Sequence, residues 1–161
     1  MARGSRQGWA RAFLVLTLIW LALLVLVPFA TAHEVGGAPG TALSAGTYVV
    51  GGLVCHQRPE RSFRLWGVQM PVCARCAGLY AGAALGAVVA GVWVSGRRLS
   101  VAWASTLRWV VLGAAVPTAA SVALEVAGVF EGSAVIRATG GVPLGAAVTW
   151  VVSLVIRGDL A

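Results

Sequence analysis

All three cysteines of the chain and one of its two histidines fall within 22 residues. They stand in two runs, Cys55-His56-Gln57-Arg58-Pro59-Glu60-Arg61-Ser62-Phe63 and Pro71-Val72-Cys73-Ala74-Arg75-Cys76. Three thiols and an imidazole this close together point to a transition metal. Cys73 and Cys76, spaced C-x-x-C, can hold one ion from a single turn. Cys55 adds a third thiolate and His56 a fourth ligand, and a Cys3His set suits tetrahedral zinc. Copper(I) is the alternative metal, with Met70 nearby as a thioether; His33 is an alternative fourth ligand. A closed set of four ligands is structural and an open fourth position is catalytic. In the catalytic case Glu125 and Glu60 are the candidate general bases. Haem attachment through C-x-x-C is excluded in its usual form, because Ala77 and not histidine follows Cys76.

The same residues also suit chemistry without a metal. C-x-x-C opening a helix places one thiol at the positive end of the helix dipole, and Arg75 acts in the same direction. This reading makes the chain a membrane thiol–disulfide oxidoreductase using Cys73 and Cys76, with Cys55 as a shuttling thiol and a quinone between helices as electron acceptor. A third reading is a non-enzymatic membrane subunit whose loop is stapled by a metal or a disulfide. Arg58, Arg61, Arg64 and Arg75 lie beside the thiols. They form either an anion site, for a phosphate, a carboxylate or an anionic lipid headgroup, or a set of side chains snorkelling to the membrane surface. Glu60 is expected to pair with a neighbouring arginine. Glu125 and Arg137 are expected to pair with each other and lock two helices, since ionisable groups in a span are costly alone.

The elements that position these residues must be membrane helices. Of 161 residues, 59% are apolar and 11% charged, against about 25% charged in a soluble domain, and the mean hydropathy is +0.88. The formal charge of +7 comes from 12 bases, all arginine, against five acids. The arginines stand between apolar runs, which is where polytopic proteins place them and where nucleic-acid readers do not. Spanning the hydrocarbon takes about 20 apolar residues. Four runs qualify: about 12–32, 77–94, 107–129 and 136–156. Pro117 in the third is expected to kink it. The 12 residues Leu43–Val54 are too short and read as an interfacial or re-entrant helix leading into Cys55. The fold class is therefore all-α: one domain over 1–161, a four-helix transmembrane bundle with an outer loop 33–76.

Orientation follows the arginines. With the N-terminus inside, seven fall on the cytoplasmic side (Arg3, Arg6, Arg11, Arg97, Arg98, Arg108, Arg157) and five outside. This predicts a multi-pass protein of the cell membrane with both termini cytoplasmic. A rival reading takes Ala30-Thr31-Ala32 as a signal-peptide cleavage site that would leave His33 as a copper-binding N-terminus. The first apolar run is longer than a signal peptide's, which favours a retained helix. Gly78, Gly82, Gly86 and Ala90, and again Gly141 and Gly145, repeat a four-residue spacing. Small residues so spaced let helices approach closely in lipid. The expected use is packing within the bundle; a homo-oligomer seam is the alternative.

At the cysteine runs the chain resembles an uncharacterised family of small bacterial and archaeal membrane proteins. The hallmark of that family is Cys-His-Gln-x-Pro-Glu-Arg-Ser-Phe followed by Pro-Val-Cys-Ala-Arg-Cys-x-Gly-x-Tyr-x-Gly. These read here as Cys55–Phe63 and Pro71–Gly82, with Tyr80 and Gly82 matching. A looser second block resembles Pro117, Ser133, Arg137, Thr139 and Gly140. Some members carry an aspartate where Ser121 stands here, a role that Glu125 would take over. The resemblance covers about residues 45–150. It implies a multi-pass membrane protein with the cysteine runs as its signature, and it brings no established activity.

Overall fold

A computed structural model describes residues 3–93 and 101–159. Gly96-Arg97-Arg98 and the last residue of the expected second span, Val94, lie outside the described residues. Among the described residues the chain forms five helices: α1 (Arg3–Ala32), α2 (Gly37–Val54), α3 (Ala74–Trp93), α4 (Val101–Val126) and α5 (Ala134–Arg157). Between α2 and α3 lie a 3-10 turn, Pro59–Arg61, and a small antiparallel hairpin, β1 (Arg64–Leu65) and β2 (Val68–Gln69). Among the described residues four helical segments are long and apolar enough to cross a membrane: Gly4–Ala32, Ala74–Val92, Ser105–Val126 and Ala134–Arg157. α2 is not among them. At 30 residues, α1 is about 45 Å long, against about 30 Å of hydrocarbon, and projects beyond it.

The boundaries have local causes. α3 begins three residues before the expected start, so Cys76 sits in its first turn. α2 begins six residues before the expected Leu43, because Gly37-Ala38-Pro39-Gly40 is helical although it is barely apolar. Its Pro39 lies in the first turn, where no intrahelical donor is lost. Ser133 caps α5, its hydroxyl accepting from the Ile136 N–H at 3.3 Å. α4 runs through Pro117 and ends in a left-handed glycine: Gly128, at φ +67°, donates to Glu125 O, and Val129 donates to Leu124 O, the helix-ending pattern that only glycine adopts without strain.

α5 is the central helix. It packs most extensively on α3 and also contacts α4 and α1. α3 and α5 run parallel, with Gly78, Gly82 and Gly86 facing the backbones of Ala138, Val142 and Ala146, and Gly141 and Gly145 facing Arg75, Leu79 and Ala83. A Cβ on any of these glycines would collide with the opposing backbone. The four-residue spacing is thus a seam inside one chain, with each glycine row lying against the other helix at backbone contact.

Candidate metal centre

Cys55 is delivered by the end of α2. The helix stops at Val54, and Cys55 turns extended at φ −144°, ψ 137°, its N–H still bonded to Gly51 O. Two residues on, Gln57 adopts φ +47°, and its side chain ties the region together. Nε2 donates to Tyr48 O at 2.7 Å and to Pro71 O at 2.6 Å, while the Gln57 carbonyl accepts from Gln69 Nε2 at 2.7 Å. The Tyr48 hydroxyl donates to Gln69 O. Gly51 allows this closure, since a Cβ there would strike Pro71 O. The hairpin turns at Trp66 and Gly67, both with positive φ, as a tight two-residue connection requires. It returns the chain to Pro71-Val72-Cys73, and Cys73 immediately precedes α3.

Beyond its place inside the first run, nothing in the sequence marks Gln57; an amide with no nearby partner in sequence carries no signal of a contact 14 residues on. Gln57→Glu exchanges two donated hydrogen bonds for a carboxylate facing two carbonyls. It is expected to destabilise the protein by about 2–4 kcal/mol, from lost bonds and repelled acceptors. Detergent-titrated unfolding measures this, and a change under about 0.5 kcal/mol would show that the clamp carries no load.

The outcome is three sulfurs, of Cys55, Cys73 and Cys76, all within 4.8 Å of one another. An ion bound tetrahedrally at about 2.3 Å spaces its sulfurs roughly 3.8 Å apart, so a small side-chain rotation closes the set. Cys55 is buried and the other two are half-buried, and all three are free thiols. Leu24 of α1, Met70 and Val72 pack against them, with Trp20 and Tyr80 beside, edge to face at 5.8 Å. The Cys73 N–H donates to Cys55 Sγ at 3.1 Å. A hydrogen bond from the Cys76 thiol, outweighing the opposite effect of burial, lowers the Cys73 thiol from 9.0 to about 5.

Other expected ligands stand apart. His56 is exposed and lies outside the sulfur group, because the extended backbone that turns Cys55 inward turns its neighbour outward. His33 stacks on Phe29, ring centres 4.3 Å apart, and meets the hairpin tip at Trp66; its Nδ1 is 2.9 Å from Phe29 O. Glu60 is exposed in the 3-10 turn and has no ion-pair partner among the described residues, so the expected pairing with an arginine is not formed.

The arginines divide. Arg58 and Arg64 are exposed and Arg61 is partly so. Arg75 leaves them, because the first turn of α3 points it across α5 toward α4. Its Nη2 donates to Glu125 Oε1 at 3.0 Å and to Ser121 Oγ at 3.2 Å. Arg137 Nε reaches the same Oε1 at 3.0 Å. The expected Glu125–Arg137 pair is therefore present, joined by a third member that ties it to the C-x-x-C turn. The side chains of Glu125, Arg137 and Arg75 are 8%, 12% and 19% exposed. Gly132 of the α4–α5 loop lies over the cluster, near Glu125 Oε1 and Arg137.

A family model described as "Predicted membrane protein (DUF2085)" matches residues 55–151, more than half of the chain. Two archaeal proteins, both called uncharacterised, are similar over shorter stretches. One, from Methanocaldococcus jannaschii, is 47% identical over 47 residues, 29% of this chain and 30% of that protein. The other, from Methanothermobacter thermautotrophicus, is 53% identical over 30 residues, 19% of this chain and 27% of that protein. The matched stretches thus span less than a third of the length of these relatives. No solved structure matches the chain.

Proposed function

Because the chain belongs to this family of predicted membrane proteins, which brings no activity with it, its chemistry has to be read from its own side chains, and we propose that Cys55, Cys73 and Cys76 form a transition-metal site. Zinc is the metal that suits it best, at the extracytoplasmic end of a bundle in the cell membrane with both termini cytoplasmic. The observation that carries this reading is three sulfurs within 4.8 Å, two of them at the start of one helix. Three thiolates are a soft donor set that zinc and copper(I) prefer. The fourth position is left to His56, swung inward from its exposed place, or to water. Glu125, already holding two guanidinium groups, is engaged as a structural counter-charge, so a general base would have to be Glu60. The retained first helix belongs to this reading, since Leu24 is fully buried against the site. Elemental mass spectrometry of the detergent-purified protein, with free thiols counted in the same sample, tests it. About one zinc per chain with three masked thiols is the expected result; no metal with one disulfide and one free thiol would overturn it.

One observation favours a second reading, thiol–disulfide exchange: the sulfurs of Cys73 and Cys76, both free, lie within 4.8 Å of each other where α3 begins. In that reading a substrate thiolate attacks Cys73 of a Cys73–Cys76 disulfide and expels the Cys76 thiolate. A second substrate thiolate then displaces Cys73 as its thiolate, leaving a substrate disulfide and a reduced Cys73–Cys76 pair whose two electrons pass to a quinone. Thiolate is the reactive form, and a lowered pKa makes it available at lower pH. In metal-free protein the alkylation rate of Cys73 is therefore expected to rise through about pH 5. A profile rising only through pH 8 to 9, the range of an ordinary thiol, would count against this reading.

A further inference from the structure

At the end of the bundle away from the cysteines, α1 and α5 part around a groove of about 600 Å³. Its walls are apolar: Trp9, Phe13 and Leu16 on α1, Val155 and Ile156 on α5, with Arg6 at the rim. Trp9, Leu16 and Val155 are 66%, 65% and 60% exposed, so the groove is open along its length. The placement of Arg6 is built by the end of α5. Gly158 terminates that helix at φ +70°, and a Cβ there would occupy the space taken by the Arg6 guanidinium. The other arginine at this helix end, Arg157, is already used: Nη1 donates to Ala90 O at 2.5 Å. Arg6 has no ion-pair partner among the described residues.

The charge at this end is one-sided. Four of the five acids, Glu34, Glu60, Glu125 and Glu131, lie at the cysteine end or in its loops, and Asp159 alone lies here, against Arg3, Arg6, Arg11 and Arg157. An open apolar channel with an interfacial tryptophan and one uncommitted guanidinium at its mouth complements an acyl chain attached to an anionic head. We propose that this groove seats one anionic phospholipid, with its phosphate on Arg6 and one chain laid between α1 and α5. The proposal stands apart from the metal reading, since it shares no residue with the cysteine cluster.

The test is native mass spectrometry of the delipidated full-length protein, titrated in detergent with phosphatidylglycerol or with phosphatidylcholine of the same chains. One phosphatidylglycerol adduct is expected, several-fold favoured over phosphatidylcholine. Arg6→Gln should lower its affinity about fivefold, the effect of one basic residue on an anionic headgroup. Arg11→Gln, which removes the same charge about one and a half turns away and outside the groove, should leave it unchanged. Leu16→Trp, which fills the channel without altering charge, should lose the adduct as well. Equal binding of the two lipids, equal effects of the two arginine variants, or full retention in Leu16→Trp would each overturn the proposal.

Discussion

Cys73→Ser is expected to abolish metal binding while leaving the bundle folded. The parent should carry about one zinc per chain and the variant less than about a tenth of that, because a serine hydroxyl is not ionised at neutral pH and cannot replace a thiolate. The exchange changes volume little at a half-buried position, and the Cys73 N–H keeps its acceptor on Cys55 Sγ. The informative comparison is with parent protein stripped by a chelator. If the metal is bound where the sulfurs converge, the two should unfold at the same detergent concentration, both below the loaded parent, since binding only the folded state adds stability by mass action. A variant that keeps its zinc would place the metal elsewhere. A variant that unfolds well below the stripped parent would mean that the cysteines staple the loop and do no more.

Glu125→Ala should be the most destabilising single change at a charged position. It leaves Arg75 and Arg137 facing each other inside the bundle with side chains 19% and 12% exposed. Removing one partner of a buried ion pair costs about 3–5 kcal/mol, because the remaining charge keeps its desolvation without compensation. Here two charges of the same sign are stranded. Glu125→Gln retains an acceptor and should cost less, about 2 kcal/mol. Adding Arg137→Gln to Glu125→Gln should recover part of the loss, since Arg75 then faces an amide and Ser121 alone. Unfolding titrations of the three variants give the comparison. A Glu125→Ala protein within about 0.5 kcal/mol of the parent would mean that water already solvates the cluster.

The spans were legible because membrane helices are selected for a property that composition records directly. Glu125 and Arg137 were legible as a pair because each alone in lipid would be untenable, and they face each other across a short loop. Arg75 was not. In sequence it belongs with Arg58, Arg61 and Arg64, and only the direction imposed by the first turn of α3 separates it from them. The early start of α2 is not legible in hydropathy, which weighs apolar surface, whereas Gly37–Gly40 forms helix without having much. The glycine spacing announced a close helix contact but could not say with what; the partner of the α3 row is the α5 row some 60 positions later. His56 illustrates the reverse limit. Adjacency to Cys55 suggested a shared ion, yet in extended backbone successive side chains point to opposite sides.

The parallel pairing of α3 with α5 has a consequence for the order of assembly. Parallel neighbours cannot be consecutive: α4 must cross the bilayer and return before α5 can lie against α3. During synthesis the two cysteines at the head of α3 therefore emerge and enter the bilayer before the helix that supports them exists. Helices α1 to α3 can collect the thiols, but the backbone of Gly78, two residues beyond Cys76, remains uncovered until Ala138 arrives. Completion of the support behind the thiol cluster thus waits on the arrival of α5. A nascent chain halted after α4 would present its cysteines to the surroundings as an unfinished, still exchangeable set.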